Sequence, residues 1–172
     1  MAGNWRILAP LSAVSLVLAV ATAGAQQLSE ADREFISTAA MSGHAEVAAG
    51  NMAAESENAA VSAFGKQMVT EHTQMNEELA ALAQKKGVEP PSSADLASQA
   101  KSALMNVMPG AAFDKQYVST QIDDHQETLT LLQNQAQSGQ DADLKAFAQK
   151  YIPVVEEHIA ELEDLQKRPE LQ

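Results

Sequence analysis

Between Val61 and Leu82 the apolar positions alternate strictly by four and three: Val61, Gly65, Met68, His72, Met75, Leu79 and Leu82. Spacing of this kind lays one buried stripe along an α-helix, and no alternating strand pattern appears anywhere in the chain. The stripe returns over Val118, Ile122, His125, Leu129, Leu132 and Ala136, then over Leu144, Ala148, Tyr151, Val155, His158, Leu162 and Leu165. Upstream, Phe35, Ala39, Ser42, Glu46, Ala49 and Ala53 run beside Ile36, Ala40, Gly43, Val47, Gly50 and Ala54. That first helix is faced mostly by small side chains, which lets its neighbours approach closely. Stripes must be buried against one another, so the chain reads as an all-α four-helix bundle.

Capping residues, glycine and proline set the boundaries. Ser29, followed by Asp32, opens the first helix, which runs to about Glu55 before the polar Glu55-Ser56-Glu57-Asn58 turn. The second ends at Lys85-Lys86, with Gly87 to terminate it. Val88 to Ser93 reads as a loop around Pro90-Pro91, and Ser93 to Met108 as a short helix closed by Pro109-Gly110. The third helix spans about Ala111 to Ser138, and Asp141 caps the fourth, which ends before Pro169 and should kink at Pro153. The first and last connections are tight, so each joins an antiparallel hairpin. Gly87 to Gly110 is long enough to cross the bundle, which makes the second and third helices parallel, as in ferritin-like folds.

Ahead of the bundle, Arg6 precedes an apolar run from Ile7 to Ala21, and Ala23-Gly24-Ala25 is the small-x-small pattern a signal peptidase reads. Residues 1–25 are expected to be a signal peptide, leaving an exported, periplasmic domain over 26–172 without stable membrane insertion. The rival is an uncleaved anchor. The 172 residues include no cysteine, which removes disulfides, thiolate metal sites and nucleophilic thiols. The formal net charge is −12 at pH 7, and losing Arg6 makes the remainder more negative still. Such a surface repels phosphate backbones and argues against nucleic acid as a partner. It names no protein partner and no oligomeric state.

The chain's four histidines fall one to a helix, at His44, His72, His125 and His158. Three of them follow an acidic residue: Glu71-His72, Asp124-His125 and Glu157-His158. His44-x-Glu46 with Glu71-His72 is echoed by His125-x-Glu127 with Glu157-His158, as two related hairpins would give. His72, His125 and His158 lie on core stripes and are expected to be buried. His44 lies toward the edge of its helix with Met41, Ala48 and Asn51, and is expected to be exposed. Glu46 falls inside the wide face of small residues. At about 1.5 Å per residue from the turns, these groups spread over on the order of 10 Å in depth, near mid-bundle.

Buried imidazoles need partners, and a buried carboxylate needs one more. One cation among Glu46, His72, His125 and His158 would satisfy all four, with Glu71 and His44 as second-rank candidates. Zinc, iron and copper all suit such donors. Met68 and Met75, one turn either side of His72, add soft character that favours copper. Glu71, Asp124 and Glu157 sit about 100° around their helices from the histidines and flank the core. The plainer alternative is a metal-free polar cluster in which Glu46 hydrogen-bonds the histidines. The domain would then serve as an interaction or stress-protective module.

The string Phe64-Gly65-Lys66-Gln67-Met68-Val69-Thr70-Glu71-His72 is followed by Phe113-Asp114-Lys115-Gln116-Tyr117-Val118, by His125, and by Ile152-Pro153 with His158. In this order they resemble a bacterial family of small exported proteins of unknown function. Its members are often named outer-membrane proteins and are placed in the ferritin-like superfamily. The resemblance implies an up-down-down-up four-helix bundle, and matches Glu46, His72, His125 and His158 to the family's usual polar core positions. His44 does not look like a family position. Di-iron bundles carry Glu-x-x-His on two helices, whereas Val69 and Val155 stand three residues before His72 and His158 here. An oxygen-activating or ferroxidase enzyme is therefore not expected, and the residues give no support to an outer-membrane location.

Overall fold

Ser29 starts the first helix by accepting a hydrogen bond from the Asp32 amide. The computed structural model describes residues 27–171, so the expected signal peptide and cleavage before Gln26 lie outside the described residues. Five α-helices follow: α1 (Glu30–Ala54), α2 (Ala59–Lys85), α3 (Leu96–Met105), α4 (Gly110–Ser138) and α5 (Ala142–Gln166). A 3-10 turn, Pro169–Leu171, closes the chain, and no strand occurs among the described residues. Asn58, Asp95 and Asp141 cap α2, α3 and α5 through their side chains. Gly87 ends α2 at φ 71°, a left-handed conformation that favours glycine. The short crossover helix is tighter than its sequence suggests, because Asp95 captures the Ala97 and Ser98 amides and fixes the start at Leu96. α5 continues as helix through Pro153.

Side-chain pairs fix the directions. Along α1 and α4, Asp32 meets Gln135, Ser42 meets Thr128 and Ser56 meets Asp114, so these helices are antiparallel. Along α2 and α5, Gln67 meets Glu161, Glu78 meets Tyr151 and Lys86 meets Asp143, again antiparallel. With α1/α2 and α4/α5 as hairpins, α2 and α4 run parallel, and the topology is up-down-down-up. The fold is a ferritin-like four-helix bundle whose long crossover carries α3 along the α1/α4 seam.

The α1/α2 hairpin is packed closely. A Cβ on Gly65 would lie 2.6 Å from the Ala54 backbone nitrogen and 2.7 Å from the Ala53 Cβ, so no larger residue fits there. Two apolar clusters fill the bundle. One gathers Phe35, Ile36, Leu79, Leu144 and Phe147; the other gathers Val61, Phe64, Met68, Tyr117 and Leu162. His72, His125 and His158 each fall, in sequence, between a residue of one cluster and a residue of the other. They therefore occupy the waist of the bundle.

The α1/α4 seam departs from the expected stripe. Ile122, Leu129 and Ala136 are only partly buried, whereas Gln121, Thr128 and Gln135 are buried. These three repeat every seven residues and face α1 with hydrogen bonds instead of apolar contact. Thr120 is buried too, where α3 crosses. Asp32 anchors the ladder: its carboxylate accepts from Ser29 Oγ (2.7 Å), Gln135 Nε2 (2.8 Å) and the Gln140 amide (3.2 Å). Burial alone would raise its pKa. The bonds from Gln135 and Ser29 and from the backbone of Gln140 and Asp141 outweigh that and hold it below the usual carboxylate value.

Asp32→Ala should therefore cost on the order of 2 kcal/mol, read as a lower urea midpoint with an unchanged denaturant slope. Because the folded pKa lies below the unfolded one, this stabilisation is present above the unfolded value of 3.8 and lost as pH falls through the folded one. An unaltered midpoint at pH 7 would contradict the anchoring role.

Candidate metal centre

Three helices deliver one imidazole each to the same point. His72 from α2, His125 from α4 and His158 from α5 are at most 2% exposed. Their ring centroids form a nearly equilateral triangle, with sides of 5.3, 5.3 and 5.5 Å. One nitrogen from each ring lies within 4.8 Å of the other two. Met68 and Met75, both buried, stand one turn either side of His72.

Two of the rings are held from behind. His125 Nδ1–H donates to the Gln121 carbonyl, one turn earlier on α4, at 2.9 Å. His158 Nε2–H donates to Glu71 Oε2 at 2.6 Å. Both acceptors take a proton-bearing nitrogen, so the ring nitrogens left over are His125 Nε2 and His158 Nδ1. Neither of those nitrogens has a protein partner, and His72 has none at either nitrogen. Each unpaired buried polar group costs about 1–3 kcal/mol.

Burial, then the neighbouring His125 and His158, pushes the His72 pKa well below its ordinary value. Burial and His158 likewise push His125 down to about 3, against a smaller upward pull from the Gln121 carbonyl. Both rings are thus neutral at pH 7 and free to donate lone pairs. Imidazole nitrogens of this kind, with outer hydrogen bonds to a carboxylate and a carbonyl, form a donor set able to hold a metal ion.

Glu46 is buried, 2% exposed, but stands on the other side of His125. Its Oε2 lies 3.9 Å from Nδ1, the nitrogen already bonded to Gln121 and not the one left with a free lone pair. The Gln121 side chain hydrogen-bonds the Glu46 carboxyl group, while Glu46 Oε2, Gln121 Oε1 and the Tyr117 hydroxyl find no partner. Burial, followed by the charge of Asp124, raises the Glu46 pKa to about 8, opposed by Gln121 and Lys101. Burial and Glu46 together raise Tyr117. The donor group brought together is thus the three histidines, with Glu46 as a polar annex behind one of them.

The second-rank candidates separate. Glu71, next to His72 in sequence, serves His158 across the α2/α5 interface instead. His44 is outside the cluster and is half-buried, not exposed as expected, because the loop after α2 folds back beside it. There it lines a groove with Asn76 and Glu77. Asp124 pairs with Lys101 of α3 and Glu157 faces solvent. Gln121 and Tyr117 were not among the sequence candidates. Their signal was position: one and two turns before His125, on the face that carries it inward.

Among the described residues no helix is long and apolar enough to cross a membrane. The solved structure of a conserved hypothetical protein, rv2844, from Mycobacterium tuberculosis superposes with a TM-score of 0.64 at 15% sequence identity. The match covers 81% of this chain and 93% of that one, and at this identity it speaks for the fold alone. No curated protein matches the chain. The family profile described as "Domain of unknown function (DUF4142)" matches residues 17–165, and the chain belongs to that family.

Proposed function

We propose that this chain is an exported bundle that binds one metal ion at its waist through His72, His125 and His158, without turnover chemistry of its own. The observation that carries the reading is that three buried rings bring one nitrogen each within 4.8 Å of the other two, while His125 Nε2, His158 Nδ1 and both His72 nitrogens have no protein partner. A tetrahedral ion with metal–nitrogen distances of about 2.0–2.1 Å needs nitrogens about 3.4 Å apart. Three imidazole nitrogens suit zinc or copper, and the flanking methionines tilt the balance toward copper where the cation is monovalent. Glu46 adds a compensating carboxyl group beside His125. The absent Glu-x-x-His pattern, with Val69 and Val155 in the key places, supports binding without oxygen activation.

Elemental analysis of untagged protein purified from the periplasm tests the reading. About one zinc or copper per chain is expected, together with a mature N-terminus at Gln26. The rival, a metal-free interaction module working through its acidic surface, predicts trace metal only and no uptake of zinc, copper or iron by the apo-protein.

A further inference from the structure

A cleft of about 210 Å³ opens between α3 and the α1/α4 seam. Asp95, Asp124 and Glu127 line it, and Glu46 closes its inner side. A smaller hollow of about 20 Å³, room for roughly one water, adjoins it between Met105 and Gln121. Ala45, Glu46, Ser98 and Asp124 border both, so the two meet at Glu46. An acidic cleft alone says little. Here its inner end is a carboxyl group 2% exposed whose Oε2 has no protein partner and lies 3.9 Å from the His125 ring. That ring is itself a corner of the histidine triangle, 5.3 Å from each of the other two ring centroids. Glu71, partly exposed on α2, is taken up by the hydrogen bond to His158.

We propose that the cleft beneath α3 is the portal through which a hydrated divalent cation reaches the three histidines, Glu46 being the carboxyl group that receives it at the inner end. The proposal rests on the metal-binding reading above. α3 is the portal's roof, pinned by the bidentate contact of Lys101 Nζ with both carboxylate oxygens of Asp124 at 2.8 Å. Glu127, exposed and acidic, draws cations to the mouth, while Lys101, which lines the smaller hollow, opposes them further in.

Stopped-flow uptake of Co(II) by the full mature chain, followed by ligand-field absorbance, tests this; zinc competition against a chromophoric chelator gives the equilibrium affinity. Ala45→Met narrows the junction of the two hollows and should slow uptake about tenfold. Glu127→Gln should slow it about threefold at low salt and not at high salt, the mark of electrostatic steering. Lys101→Ala should speed it. Equilibrium affinity and stoichiometry should stay within about twofold of the parent in all three, since none touches a histidine. Unchanged rates in all three variants, with normal stoichiometry, would overturn the portal and leave the metal site standing. Slowing confined to Glu71→Ala would do the same and place the route past His158. Failure of the parent to bind Co(II) or zinc would overturn the three-histidine reading and the portal with it.

Discussion

Replacing His72 by leucine should stabilise the metal-free protein and abolish its metal binding, two effects of opposite sign in one variant. His72 is buried in the bundle with both ring nitrogens unpartnered. Leucine has nearly the same volume and no polar atom to satisfy, so removing the imidazole should gain about 1–3 kcal/mol in the apo form. For a chain of this size that amounts to roughly 3 °C in Tm per kcal/mol. The parent at a thousandfold excess of zinc over Kd should gain about 4 kcal/mol, and the variant nothing.

The pH dependence has a definite sign. His72 and His125 are held below the ordinary value of 6.5. Below pH 6.5 the unfolded chain takes up protons that the folded one refuses, so apo stability declines as pH falls from about 6.5 toward about 3. His72→Leu should flatten that decline. Urea denaturation from pH 4 to 8, with and without zinc, measures all three effects. A variant less stable than the parent without metal would show that His72 has a partner in solution and that the triangle is not a waiting donor set.

The bundle was legible because its helices α2 and α5 each bury one continuous apolar stripe, and because Gly87 and Pro109-Gly110 bracket a connection too long for a turn. The three histidines were legible for the same reason: each interrupts an apolar stripe, where a polar residue needs a purpose. The α1/α4 seam was not. It is built from Asp32, Ser42 and Glu46 against Gln135, Thr128 and Gln121, and hydrophobic periodicity does not register polar residues that pair across helices. That turned the predicted face of α4 toward Ile122 and Leu129, when Gln121 and Thr128 are the buried ones. The same blindness affected Glu46. Its burial followed from the small residues around it, but its side of His125 depends on Gln121, which presents its carbonyl to the ring and its amide to the carboxyl group. Glu71 shows the converse. Read from the sequence as a second-rank ligand flanking the core, it bonds instead to His158 of α5.

Glu46→Gln should change sign with metal. Without metal, the Glu46 pKa of about 8 stands above the ordinary 4.5 because burial, and then Asp124, disfavour the charged form. A raised pKa means the group's contribution is intact below pH 4.5 and is lost progressively as pH rises through about 8, since the unfolded chain sheds the proton first. Glutamine keeps the shape and escapes that loss. The apo variant should match the parent near pH 4 and exceed it at pH 7 by on the order of 3 kcal/mol. With an ion on the histidines the balance reverses. A carboxylate behind His125 then offsets a positive charge, and its removal should weaken zinc binding by about 10- to 100-fold, as loss of groups that orient or balance ligands does. Paired measurements, the apo urea midpoint against pH and the zinc affinity at pH 7.5, read the two halves separately. A midpoint that does not rise relative to the parent between pH 4 and 7 would show that Glu46 ionises freely and is not the buried acid described here. An unchanged affinity alongside a raised midpoint would keep the buried acid and remove Glu46 from any part in holding the ion.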